Sequence, residues 1–191
     1  MRLRRWVPLL LALTLADCGT SPKTHYFTLA SVPPSEPAKA SIAAPVTVAA
    51  VHVPPALDRS EMLRRTGANS VEISGQALWT APLGEMIRRV LSEDLAARLP
   101  RGKVVLPDAP APAHTERIVV AIAQFGPAAD GKVALDGSWS LLRSGRDEPA
   151  LRRDISLTAA AAADPAGEAA AMSRLLGQLA TRIADTLAET R

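Results

Sequence analysis

Cysteine is almost absent from this sequence, since Cys18 is the only one in 191 residues. A lone cysteine excludes an internal disulfide bond. Aromatic residues are also few, at 3% of the chain. The three histidines, His25, His52 and His114, are scattered along the sequence without the spacing of metal ligands. We therefore expect no metal site and no bound cofactor.

Motifs that carry out catalysis are missing as well. The sequence has no glycine-rich phosphate loop, no G-x-S-x-G elbow and no H-E-x-x-H pair. Asp58 and Glu61 are acid–base candidates by residue type, but no nucleophile or base pairs with them. Glu93 and Asp94 are predicted on an exposed helix face, where carboxylates are ordinarily solvated. We predict that the chain is not an enzyme and has no catalytic residues.

The net charge gives little support to nucleic-acid binding. The formal charge is +3, but three arginines lie in the first five residues. Without the residues before Cys18 the charge falls to about +1. Because a nearly neutral body attracts phosphate groups weakly, a nucleic-acid partner is disfavoured.

The first 17 residues have the pattern of a secretory signal peptide. Met1–Arg5 is basic, and Trp6–Ala16 is an apolar run of eleven residues. This run is far shorter than the roughly 20 residues of a membrane-spanning helix. The segment therefore predicts export and removal, rather than a permanent membrane anchor.

The end of the apolar run resembles a bacterial lipobox. Leu15-Ala16-Asp17-Cys18 matches it except at Asp17, where a small residue is usual. We predict that residues 1–17 are removed and that Cys18 is lipidated, with an ordinary buried cysteine or cleavage at another site as the alternatives. Gly19 and Thr20 follow the cysteine, and by resemblance to lipoprotein sorting signals they imply the periplasmic face of the outer membrane.

The rest of the sequence is predicted to contain a linker and one domain. Residues 18–45 hold a short β-prone run at His25–Leu29 and then a segment rich in Pro, Ala and Ser, which is typical of a linker. Residues 46–191 are predicted to form a single domain, which suits their length.

Two amphipathic helices are predicted in this domain, at Pro82–Leu99 and from Asp164 to about Leu187. Apolar residues recur at spacings of three and four in both, which gives each helix one apolar stripe. The stripes are Leu83, Met86, Ile87, Val90, Leu91, Leu95 and Leu99 in the first helix, and Met172, Leu175, Leu176, Leu179, Ile183 and Leu187 in the second.

Strand patterns fill the remaining parts of the domain. Val46–Val53 is apolar on both faces, as in a central strand. Arg117–Phe125 and the alternating residues around Trp139 and Ile155 predict an antiparallel meander with a turn at Ala129-Asp130-Gly131. The predicted fold class is α+β, a mainly antiparallel sheet with two amphipathic helices packed on one face.

Several local patterns in this order resemble the PqiC-type family of ABC-type transport auxiliary lipoproteins. After the lipobox come Tyr26-Phe27-Thr28-Leu29, the segment PPALDRSEMLRRT, the helix entry Trp79-Thr80-Ala81-Pro82-Leu83 and the run DGSW ending at Trp139. Family members typically show Y-Y-T-L, P-x-x-L-D-R-x-x-[IVL]-x-R-T, W-A-x-P-L and D-x-x-W. The resemblance extends over roughly Cys18 to Leu187.

The resemblance implies a non-enzymatic role in lipid transport. Such lipoproteins work with MCE-domain proteins, in many systems together with an ABC permease and an ATPase, to move lipids between the inner and outer membranes. The lipoprotein would dock the MCE assembly at the outer membrane, and assembly into a homo-oligomeric ring is left open. An envelope-stabilising structural lipoprotein and a lipid-binding carrier are the alternatives.

Five residues are candidates for partner binding. Tyr26, Phe27 and Trp79 are aromatic residues largely outside the regular core pattern, and aromatic side chains often anchor interfaces. Local packing is the favoured alternative for them. Arg59 and Arg64 lie in the segment that resembles the family, where a charged rim facing a partner competes with a solvated loop.

Overall fold

The computed structural model describes residues 22–34 and 41–190. Cys18 and the predicted signal peptide lie outside these ranges. The described residues contain eight strands and two helices in the order β1-β2-β3-β4-α1-β5-β6-β7-β8-α2. The predicted α+β class is confirmed, but the strands form two mixed sheets.

Helix α1 (Leu83–Arg98) and helix α2 (Pro165–Glu189) match the predicted helices closely. Every residue of both predicted apolar stripes is buried. Helix α2 begins at an N-cap, where Asp164 accepts a hydrogen bond from the backbone N–H of Gly167 at 2.8 Å. Helix α1 has no side-chain cap at Pro82, so tertiary packing stabilises its first turn.

Five strands form the larger sheet, in the order β5-β2-β6-β7-β8. Their bounds are Val46–His52 for β2, Val104–Val105 for β5, Glu116–Pro127 for β6, Lys132–Leu142 for β7 and Pro149–Ala160 for β8. Strands β6, β7 and β8 form the predicted antiparallel meander, whereas β2 pairs in parallel with both β5 and β6.

The smaller sheet has three strands in the order β1-β4-β3. Strand β1 is His25–Phe27, β3 is Glu61–Gly67 and β4 is Ser70–Trp79. Strands β3 and β4 form an antiparallel hairpin, and β1 joins β4 in parallel at Ala77–Trp79. These pairings are the reason why the structure has a second sheet beside the predicted meander.

The two helices pack against each other and against the larger sheet. Helix α1 lies over β2 and β5, and helix α2 lies over β6, β7 and β8. Because the helices touch each other, they cover the same face of that sheet, as predicted. Trp139 on β7 is buried in this layer with Leu135, Leu175 and Leu179.

Residues 28–34, which we call the strap, lie against both helices. Leu29 is fully buried, and the backbone N–H of Ala30 donates to Ser173 Oγ on α2 at 3.1 Å. The expected domain start at Val46 leaves out both β1 and the strap. The packed unit therefore includes residues of the predicted linker.

Candidate docking surface

The three aromatic candidates occupy different environments at the junction of β1 and β4. Phe27 lies opposite Trp79 in the strand register. Trp79 is buried and Phe27 is half-buried against the core. Tyr26 is 66% exposed. Packing therefore accounts for Phe27 and Trp79, and Tyr26 is the aromatic side chain of this group that remains available to a partner.

The two arginine candidates are both held in ion pairs. Arg59 Nε lies 3.1 Å from Glu61 Oε2 in the segment that leads into β3. Arg64, on β3, forms an ion pair with Glu168 at the start of α2. Glu168 is buried, so this pair ties the β3–β4 hairpin to α2. A partner role for either arginine stays a prediction, and Arg64 has a structural role as well.

A groove of about 450 Å³ runs beside the exposed side of α1. We call it the α1 groove; its lining residues are Ala81, Glu85, Met86, Arg88, Arg89, Glu93, Leu106, Pro107 and Asp108. Leu106 is 48% exposed in the groove wall. Arg88 forms an ion pair with Asp108 at 3.3 Å, and Arg89 with Glu93 at 3.0 Å. An exposed leucine among charges of both signs is suited to binding another protein.

The groove adjoins the chain that follows β1. The Thr28 hydroxyl lies 3.8 Å from Met86 Sδ, and Arg89 donates a hydrogen bond to the Leu29 carbonyl at 3.2 Å. Tyr26 is two residues before Thr28. The groove was not predicted from the sequence, because Leu106 lies in an irregular segment whose neighbours are set by the fold.

Asp94 on α1 is the centre of a buried polar cluster with the strap. Its Oδ1 accepts hydrogen bonds from the Ser31 hydroxyl and from the backbone N–H of Val32, both at 2.8 Å. Arg98 Nη1 lies 3.3 Å from the same oxygen, and Arg98 also donates to the Val32 carbonyl at 3.0 Å. Among the described residues, Asp94 Oδ2 has no hydrogen-bond partner.

Helix α2 completes this cluster. Arg98 Nε donates to Thr181 Oγ1 at 2.9 Å. One turn earlier on α2 is Gly177, where a Cβ atom would lie 3.2 Å from Val32 Cβ and 3.3 Å from Arg98 Nη2. The absence of a side chain at Gly177 therefore lets the strap and the arginine approach the helix closely.

The expectation that Asp94 is solvated is wrong, because Asp94 is fully buried. A signal was present in the sequence: position 94 lies four residues after Val90 and three after Leu91, on the apolar stripe itself. Burial raises the pKa of the Asp94 carboxyl, against the lowering effects of its hydrogen bonds and of Arg98. Burial likewise raises the pKa of Glu168, against the Arg64 charge.

Within residues 22–34 and 41–190, no group of His, Cys, Asp and Glu side chains has the geometry to hold a metal ion. None of the described helices is long and apolar enough to cross a membrane. Asp58 and Glu61 are not gathered into a pocket with a nucleophile: Glu61 pairs with Arg59, and this contact lowers the Glu61 pKa.

Residues 27–184 match the family model of the ABC-type transport auxiliary lipoprotein component. The chain belongs to this family. The predicted PqiC-type resemblance is therefore confirmed, and the protein is an auxiliary lipoprotein of an ABC-type transport system. The match begins at Phe27, the last residue of β1, and ends at residue 184, so the family unit includes the strap as well as most of the predicted domain.

Named relatives and solved structures agree with this assignment. The auxiliary lipoprotein is 28% identical over 146 residues to the intermembrane transport lipoprotein PqiC of Escherichia coli. The alignment covers 75% of this chain and 77% of the relative. The PqiC protein of Shigella flexneri matches equally. A crystal structure of a Xanthomonas campestris protein superposes with a TM-score of 0.63 at 16% identity, covering 86% of this chain and 95% of the other.

A second crystal structure, of an uncharacterized protein, has the same fold. Its TM-score is 0.62 at 20% identity, and the match covers 88% of this chain and 98% of that one. At these identities the two crystal structures support the fold of the auxiliary lipoprotein alone.

Proposed function

We propose that this protein is the outer-membrane-anchored auxiliary subunit of an MCE-type, ABC-linked system for lipid transport between membranes. The observation that carries the proposal is the family match over residues 27–184. The E. coli relative, named as an intermembrane transport lipoprotein, supports it over three quarters of both chains. In this proposal the protein docks an MCE-domain assembly, with an ABC permease and an ATPase beyond it.

The anchor in this proposal is Cys18. Lipidation would attach acyl chains there, and two or more chains hold a protein on a bilayer where one does not. Gly19 and Thr20 favour the outer membrane by their resemblance to sorting signals. Mass spectrometry of the membrane-extracted protein tests this step, because an acylated Cys18 would be the first residue of the mature chain.

The docking surface in this proposal is Tyr26 together with the α1 groove. Tyr26 supplies an exposed aromatic ring, and Leu106 and the two ion pairs supply an apolar centre with a polar surround. Phe27 and Trp79 hold in place the strand that carries Tyr26, through the β1–β4 pairing.

The carrier alternative has less support from the interior of the protein. The space bounded by Leu57, Met62, Trp79, Leu83 and Phe125, where the two sheets meet, holds a cavity of only about 10 Å³. Ligand pockets are typically about 300–1,000 Å³. An acyl chain does not fit at this junction. The spaces of more than 300 Å³, among them the α1 groove and one beside Ile42, Leu141 and Leu187, open at the surface, so docking is favoured over an enclosed cargo site.

Affinity purification from the native bacterium tests the docking proposal. A tagged copy extracted in mild detergent should recover an MCE-domain protein. Arg88→Glu in the α1 groove should weaken recovery, whereas Arg153→Glu, at an exposed position of β8, makes the same charge reversal away from the groove and should not. Recovery of the lipoprotein alone, even after crosslinking, would favour the envelope-stabilising role.

A further inference from the structure

Strands β3 and β4 form a ribbon that extends beyond the end of β1. Strand β1 pairs with β4 only at Ala77–Trp79, whereas β4 begins at Ser70. From Ser70 to Gln76, β3 is the one strand of the described chain that lies beside β4. The tip of this ribbon is the turn at residues 67–70.

One face of the ribbon exposes large apolar side chains. Val71 is 50% exposed and Ile73 is 44% exposed. They are two residues apart on β4, so their side chains point to the same face. Their register partners on β3, Arg65 and Leu63, share that face. The result is a small apolar patch close to the ribbon tip with a cation beside it.

The other face of the ribbon is already occupied. Glu72 lies opposite Arg64 in the strand register, and Arg64 pairs with Glu168 on α2. This contact holds the ribbon against the body of the protein. The patch of Val71 and Ile73 is therefore presented outward by a supported element.

The N-terminal end of β1 points towards the tip of the ribbon. Strands β1 and β4 are parallel, with His25 opposite Ala77. Cys18 is seven residues before His25, and Ser70 is seven residues before Ala77. Seven extended residues span about 24 Å. Cys18 can thus reach about as far as the ribbon tip and little farther.

We propose that the β3–β4 ribbon rests on the phospholipid surface that holds the Cys18 acyl chains, with Val71 and Ile73 in contact with lipid. This inference rests on the proposed lipidation of Cys18. The short tether brings the membrane to the level of the ribbon tip. Transfer of apolar side chains from water into the interface lowers the free energy of the system. Lys23 and Arg65 supply positive charge for anionic headgroups.

This second contact fixes the orientation of a protein that a tether alone would leave free to turn. The N-terminal end of β1 faces the membrane, and its C-terminal end leads to Thr28 and the α1 groove. The groove is therefore directed away from the lipid surface, towards a partner in the periplasm.

Site-directed fluorescence in membranes tests the proposal. The thiol of Cys18 is consumed by lipidation, so an added cysteine is the only free thiol of the mature lipoprotein. The full chain is produced with its signal peptide as Ile73→Cys, labelled with an environment-sensitive dye and reconstituted in vesicles of phosphatidylethanolamine and phosphatidylglycerol. Ala150→Cys, at the exposed start of β8 on the far edge of the larger sheet, is the matched label control.

We expect a blue shift of the dye at position 73 and its quenching by nitroxide-labelled lipid, with neither effect at position 150. If mass spectrometry shows that Cys18 is acylated but the dye at position 73 stays in water, the inference is overturned and the proposed function stands. Protection of position 73 only after an MCE-domain protein is added also overturns it, in favour of a protein contact. If Cys18 is not acylated, the proposed function loses its membrane anchor, and this inference is overturned as well.

Discussion

Removal of the Asp94 carboxylate should destabilise the protein far more than removal of a partly exposed charge on α1. In Asp94→Ala, Arg98 stays buried, with 7% of its side chain exposed, and loses its counter-ion. The Ser31 hydroxyl and the Val32 N–H lose their acceptor as well. Breaking a buried ion pair by removing one partner costs about 3–5 kcal/mol.

This loss can be measured as a change in the free energy of unfolding and in Tm. For a domain of this size, 1 kcal/mol lowers Tm by about 2–4 °C, so a decrease of roughly 6–20 °C is expected for Asp94→Ala. The matched control is Glu93→Ala, one residue earlier, whose partly exposed pair with Arg89 is worth about 0.5 kcal/mol or less. Urea and thermal unfolding of the protein compare the two variants.

A double-mutant cycle separates the ion pair from the strap contacts. Replacing both charges, as Asp94→Leu with Arg98→Met, should recover part of the stability, because no unpaired charge is left buried. Amide hydrogen exchange in residues 28–34 should rise in Asp94→Ala and stay low in Glu93→Ala. The reasoning is refuted if the two alanine variants have the same Tm and the same exchange in the strap.

Three further perturbations test other parts of the structure. Gly137→Ala should cost about 1–3 kcal/mol in urea unfolding, because its Cβ would lie 2.2 Å from the Ala121 carbonyl oxygen on β6; a neutral result would show that β6 and β7 separate easily. Asp164→Ala should cost about 1 kcal/mol through loss of the bond from Gly167 N–H, and Asp164→Asn should restore most of it. Burial raises the pKa of Glu168, so the folded state keeps a proton that the unfolded chain has lost, and this group makes the unfolding free energy fall as pH rises above about 4.5. Glu168→Gln should flatten that slope in urea unfolding between about pH 4.5 and pH 7, and an unchanged slope would contradict the raised pKa.

The parts of the fold that sequence predicts best are those with a local signal. Both helices and the β6–β8 meander follow from apolar spacing and turn residues within short windows. The parallel pairing of β1 with β4, and of β2 with β5 and β6, joins segments far apart in sequence, and no local pattern specifies it. For this reason the sequence predicts a single sheet, whereas the structure contains two mixed sheets.

The candidate site follows the same division. Tyr26, Phe27 and Trp79 are recognisable from the sequence as a group, and the structure brings them to one junction. Their separate burial depends on long-range packing. Asp94 shows the limit of reasoning by residue type, since a charged residue on an apolar stripe was assigned to the solvent face.

The strap also has a consequence for the order in which the chain acquires its structure. Ala30 bonds to Ser173, a residue 143 positions later, and Val32 packs against Gly177. Contacts of such long sequence separation form late, because the loop that they close must first lose its conformational freedom. An N-terminus that needs the C-terminal helix as its packing partner cannot complete its fold while the chain is still being synthesised. A late-closing strap therefore leaves the N-terminal segment unpacked until α2 has been made, which suits the proposed export of an unfolded chain and the proposed lipidation of Cys18.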